Sequence, residues 1–186
     1  MSKPEAHVAL VVGPDCDLEA QAVRATLEYW GVRVTTYWIG RPQDLIDVLS
    51  GEELYPDIAF IYLAFHGEEG RMIMPELEAE VYEPGEPQGS FGPEQIDRYA
   101  KLRGKLVLAN GCTLGAPEMA AAFLRRGCSA YISPDDYPDG SMALMFAHRL
   151  FYELIHQKKD VSEAFVLAQS IDEEARMYRL TLPTDS

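Results

Sequence analysis

The sequence predicts a three-layer α/β domain: a mostly parallel central sheet with helices on both faces and a small β-hairpin after the third strand. Three observations point there. Apolar runs rich in β-branched residues alternate with stretches of helical periodicity along the chain. The runs are continuous rather than alternating, as strands covered on both faces require. The connections are short, so no linker divides the 186 residues, and a single domain over 1–186 is expected.

The first strand is the run 8–12, closed by Gly13-Pro14. Leu18, Val23, Leu27 and Trp30 then recur at helical spacing, with Asp17 as candidate N-cap and Gly31 as the stop. A second strand is expected at 32–39, and a short helix after Pro42, where a first turn tolerates proline. The third strand, 58–65, is the most apolar run and ends in His66-Gly67. Residues 72–74 and 79–82 read as a small hairpin, followed by a Pro/Gly-rich stretch. A helix over 93–102 leads to a fourth strand at 106–109, which ends in Asn110-Gly111-Cys112. Pro117 opens a helix that closes at Gly127, and 130–133 is the fifth strand. Two helices finish the chain, 141–156 and 161–178, the second with the capping box Asp160-x-x-Glu163. The tail from Thr181 is expected to fray.

Composition narrows the function. A formal net charge of −14 repels phosphate backbones and anionic lipid, so neither nucleic acid nor a membrane surface is an expected partner. Three cysteines at irregular spacing, Cys16, Cys112 and Cys128, do not make a disulfide framework and fit a reducing compartment. With no targeting segment in view, the expected address is cytoplasmic. No Cys-x-x-Cys or His-x-x-x-His spacing calls for a metal, and no glycine-rich cradle for a phosphate, so no cofactor is expected.

Chemistry is expected at the carboxyl ends of the strands, which share one edge in a parallel sheet. His66 follows the third strand and Cys112 the fourth. If these are neighbours, about 4.8 Å apart, a thiol and an imidazole face one substrate. A free cysteine titrates at about 8.5, and the helix opening at Pro117 is expected to favour its anion. Gly67 and Gly111 allow close backbone approach, and the N–H groups of Gly67 and Cys112 are candidate oxyanion donors. The residues alone also permit Cys112 to be a packing cysteine.

The strand ending Phe65-His66-Gly67, the hairpin and helix, the run Lys105-Leu-Val-Leu-Ala-Asn-Gly-Cys112, a helix-to-glycine unit over 119–127, the strand ending Ser133-Pro134-Asp135-Asp136, and the helices holding Phe151-Tyr-Glu-Leu154 and Val161-Ser-Glu-Ala164 come in a telling order. In that order the chain resembles the caspase-like cysteine peptidases of clan CD, and most of all the CHAT family. The interval from His66 to Cys112 is 46 residues, near the ~50 of caspases. The resemblance implies a caspase-like fold, a catalytic Cys112–His66 dyad with Gly67 in the oxyanion loop, a protein or peptide substrate, and a regulatory protein partner. Before the cysteine stands Asn-Gly, where caspases carry Gln-Ala and CHAT domains commonly Ser-Ala.

Members of this broad group select the side chain before the scissile bond. Asp15 and Asp17 after strand one, and Asp135 and Asp136 after strand five, are therefore expected to line a pocket for a basic P1 residue. Seven glutamates against one arginine over 68–86 add to an acidic rim. Asp15 or Asp17 as a mere helix cap, and the glutamates as a solvated face, are the competing readings. Three functions stay open: an active cysteine endopeptidase, a catalytically silent caspase-like interaction module, and a thiol redox protein pairing Cys16 with Cys112.

Overall fold

The computed structural model describes residues 6–184. A six-stranded sheet runs β2 (Arg33–Trp38), β1 (His7–Val12), β3 (Phe60–Ala64), β7 (Leu106–Ala109), β8 (Ala130–Pro134) and β9 (Tyr178–Thr181). The first five are parallel and β9 is antiparallel to β8. The order reverses at β1, because β2 adds on one side and β3 on the other; crevices at such switch points hold ligands in open α/β sheets.

Both faces are covered, which is why the inner strands are unbroken apolar runs. Ala9, Val11, Ile61, Leu63, Val107 and Ala109 pack into one core with α2 (Pro42–Leu49), α3 (Pro93–Tyr99) and α4 (Pro117–Arg125). Val8, Leu10, Val12, Tyr62, Ala64 and Leu108 pack into the other with α1 (Asp17–Tyr29), α5 (Gly140–Phe151) and α6 (Val161–Gln169). Ala20, Val23 and Leu27 form the buried stripe of α1 at helical spacing. Proline opens α2, α3 and α4, and the Asp160 carboxylate caps α6 by accepting from the Glu163 N–H at 3.0 Å. No helix among the described residues is long and apolar enough to cross a membrane.

Four local expectations are corrected. The segment 79–82 forms no strand; a small second sheet instead joins β4 (Gly67–Glu68), β5 (Arg71–Ile73) and β6 (Ser90–Phe91). Phe91 opposite Met72 is fully buried, whereas Val81 is half exposed, so burial selects the later segment as the third strand. The helix expected to run to 178 ends at Gln169, and Tyr178 starts β9, its ring stacked on Phe146. Thr181 therefore pairs with Tyr131 rather than fraying, while positions 185 and 186 lie outside the described residues. The helix expected over 141–156 becomes α5 followed by a π-helical turn, Tyr152–His156.

The strandless stretch before β6 is tied down by one carboxylate. The Glu86 side chain is fully buried, yet it accepts from Arg41 Nε and Nη2 at 3.0 and 2.7 Å and from the Gln43 and Glu83 N–H groups at 2.8 and 2.9 Å. Hydrogen bonds from Arg41, above all, hold the carboxyl at about 2. A depressed carboxyl stabilises the fold above its ordinary range near 4.5, and that contribution is lost as pH falls toward 2. Arg41→Met strands a buried charge. The variant is expected to melt below the parent at pH 7, with the gap narrowing as the solution is acidified, in circular-dichroism melts at a series of pH values.

Candidate active site

The strands that carry His66 and Cys112 are neighbours. β3 and β7 pair with Leu63 opposite Ala109, and the Asn110 N–H extends the ladder to the Leu63 carbonyl at 2.8 Å. Each residue stands three positions beyond that pair, at the carboxyl edge. The two chains then meet backbone to backbone. A Cβ on Gly67 would lie 2.1 Å from the Cys112 carbonyl oxygen, and one on Gly111 2.5 Å from that of Phe65, so both positions require glycine.

The small sheet decides which way Gly67 faces. The Ile73 N–H donates to the His66 carbonyl at 3.0 Å, which makes that a hydrogen-bonded pair; the next pair, Gly67 with Met72, is then a non-hydrogen-bonded one. The Gly67 N–H therefore stands outside the β4–β5 ladder. Thr113 sits in the left-handed region at φ 60°, fixed by its N–H donating to the Asp136 carbonyl at 3.1 Å and its Oγ1 accepting from the Gly70 N–H at 2.9 Å. Asp15 and Glu69, at φ 59° and 48°, are also left-handed, so three strained non-glycine residues cluster in the loops of this edge.

A cleft of about 190 Å³ opens here, lined by His66, Cys112, Cys16, Glu19, Pro138 and Tyr178 among others. His66 is exposed and Cys112 half-buried. Beneath them lies a polar floor. The Asn110 Nδ2 donates to Glu19 Oε1 and to the Tyr62 hydroxyl, both at 2.8 Å; Tyr62 donates to the same Glu19 oxygen, and Tyr178 donates to Asn110 Oδ1. Burial pushes both phenols well above their usual range, so they remain donors and Glu19 the acceptor. Among the described residues no group of three or more His, Cys, Asp or Glu side chains is set to hold a metal ion.

Of the four acids expected in the pocket, Asp136 alone stands at the site. Asp15 and Asp17 are exposed and line no part of the cleft, although both raise the thiol of Cys16. Asp135 pairs with Arg179 at 2.7 Å and lines a separate hollow against α4 and β9. Asp136 does stand at the site, through its carbonyl to Thr113 and its charge beside Cys112. Glu19, Asn110 and Tyr178 were not singled out as site residues. Glu19 could have been: it lies one turn before Val23, at the border of the buried stripe of α1. His7 lies at the opposite edge, between Asp57 and Thr35 at 2.9 and 2.8 Å.

The site does not pre-ionise its thiol. Burial first, then the Glu68 and Asp136 charges, push Cys112 up, against a lowering bond from its own backbone. The helix expected to favour the anion begins at Pro117, five residues on. Burial and Glu19 push Cys16 further, to about 12, which removes it as a thiolate at neutral pH. The Tyr137 hydroxyl donates to Glu68 Oε1 at 3.2 Å. Glu68→Gln and Asp136→Asn are each expected to speed iodoacetamide alkylation of Cys112 at neutral pH and to move its pH midpoint down, the double variant most. An unchanged midpoint would show that the two charges do not reach the sulfur.

No family model matches the sequence, and no curated protein matches it. Among solved structures, two of the Saccharomyces cerevisiae separase–securin complex overlay it with TM-scores of 0.58 and 0.59 at 11% identity. The overlays cover 95% and 96% of this chain but 12% of that one, so the chain spans about an eighth of the separase chain's length. The fold is caspase-like. At this identity the likeness carries the architecture and nothing about activity.

Proposed function

We propose that the chain is a caspase-like cysteine endopeptidase. The observation that carries this reading is the adjacency of β3 and β7, which opens His66 and Cys112 into one cleft. In the proposed reaction the Cys112 thiol gives its proton to His66 as sulfur attacks the peptide carbonyl carbon. The carbonyl oxygen, now anionic, accepts from the Gly67 and Cys112 N–H groups. The imidazolium of His66 protonates the departing amine, leaving an acyl-thioester on Cys112. His66 then takes a proton from water, whose hydroxide displaces the thiolate and frees the acid, and the imidazolium returns that proton to the Cys112 sulfur.

A basic P1 residue fits the cleft. Its walls include Phe65, Ala143 and the proline rings, and its floor presents the Glu19 carboxylate, both of whose described bonds fall on Oε1. An arginine or lysine stem would pack on the walls and its charge would meet Glu19. The order of sequence motifs supports the CHAT family within the caspase-like group. The separase structures contain securin, and a regulatory protein partner is proposed for this chain too.

A silent interaction module is the second reading, favoured by the raised Cys112 thiol. The redox reading is weakened by Cys16, buried and protonated to about 12. Fluorogenic peptides separate them. Hydrolysis after arginine or lysine at least about tenfold faster than after aspartate, absent in Cys112→Ala, is expected. No turnover of any peptide supports the silent module.

A further inference from the structure

We propose that the free edge of β2 is a docking strand for an extended basic segment of a partner protein, independent of the peptidase reading. Among the described residues β2 ends the sheet on that side. Arg33 and Ile39 donate to the Ala6 and Val12 carbonyls, so in the parallel ladder the odd residues face β1. The N–H and C=O groups of Val34, Thr36 and Trp38 consequently face outward. From Val34 to Trp38 this edge reads Val-Thr-Thr-Tyr-Trp, five uncharged β-formers with no proline or lysine. Proteins guard open edges with such residues, and the strand itself carries none from Val34 to Trp38; Arg24 of α1, paired with Glu28, reaches Thr36 Oγ1 at 3.2 Å.

The flanking chemistry names the occupant. Beside the carboxyl end of β2, a pocket of about 280 Å³ is lined by Tyr37, Trp38, Val48, Asp44, Asp47 and Glu53 among others, without a cation. The Tyr37 hydroxyl donates to the Glu53 carbonyl at 2.9 Å, which fixes the ring as one wall. Asp44 is used in capping the start of α2, whereas Glu53 is exposed. The cation at the start of the strand, Arg33, is engaged by Asp57 and the Tyr55 ring. On the opposite face of the strand Trp38 is 55% exposed. An added strand points successive side chains to alternate faces. One lysine or arginine would enter the Tyr37 pocket while its neighbour covers Trp38. A second copy of the chain, at −14, would bring like charge to the same edge.

The probe is an eight-residue peptide alternating lysine and threonine, with a glutamate–threonine peptide as control. Trp30→Phe leaves Trp38 as the one tryptophan, so its emission reports from the edge. The lysine peptide is expected to give a saturable change in emission and to slow amide exchange at Val34, Thr36 and Trp38. Asp47→Asn with Glu53→Gln is expected to weaken binding by about tenfold or more. Thr36→Pro should abolish it, because the lost N–H faces outward and the fold does not use it. All of this should persist in Cys112→Ala, which separates the inference from the peptidase reading. Equal binding of both peptides, or lysine-peptide binding that survives both sets of substitutions, would overturn it. So would a concentration-dependent dimer that Thr36→Pro dissolves, which would give the edge to a second copy.

Discussion

Cys112→Ala and His66→Ala are each expected to cut peptide turnover by about 10⁴-fold or more, and the double variant by no more than the worse single one. The non-additivity is the informative part. Sulfur and imidazole share one proton-transfer coordinate, so once either is gone the other has nothing to act on. Neither change should unfold the protein. His66 is exposed, and surface replacements usually stay within about 0.5 kcal/mol. Cys112 is half-buried in an open cleft and loses one sulfur. Far-UV spectra and melts that match the parent, together with lost turnover, would place the effect in chemistry. Turnover reduced by less than about tenfold in His66→Ala would remove the imidazole from the mechanism.

Gly67→Ala is expected to cost about 10³-fold in turnover, with a stability loss of about 1–3 kcal/mol. The new Cβ would lie 2.1 Å from the Cys112 carbonyl oxygen and 2.9 Å from Leu114 Cγ, and one of those neighbours is backbone. The loops must part by more than an ångström, a misplacement that alone can cost about 10²-fold. The Gly67 donor moves with them. Gly85→Ala is the control, since Gly85 has φ +86° but nothing within 4 Å of its Cβ position. It should lower the melting temperature through backbone strain and leave turnover unchanged. If both variants lose stability alike and neither loses activity, Gly67 is a packing glycine.

The sequence carried the parallel sheet because strands such as Leu106–Ala109 are wholly buried and uniformly apolar. It could not carry β9. Ala164, Ala168, Ala175 and Tyr178 all lie buried at intervals that a helix also produces, so the break at Gln169 leaves no mark in the pattern. The candidate site was legible as far as placement along the chain reaches: His66 and Gly67 follow β3, and Cys112 follows β7. The floor was not. Asn110 read as a departure from the family pattern, and its use emerges only when Tyr178, 68 residues away, reaches its carbonyl oxygen. Asp15 and Asp17 drew attention by lying next to a strand end, whereas α1 turns Glu19 to the cleft. Adjacency in sequence marks the edge of the sheet; the helix decides which carboxylate faces inward.

Cys112 and His66 are proposed to act on one substrate amide. Intact mass and peptide mapping after reaction with an arginyl acyloxymethyl ketone test it most directly. One adduct on Cys112 is predicted, absent in Cys112→Ala, slowed by about 10²-fold or more in His66→Ala, and slowed again in Glu19→Gln. An adduct on Cys16 or Cys128, or a rate on Cys112 that ignores the loss of His66, would contradict it.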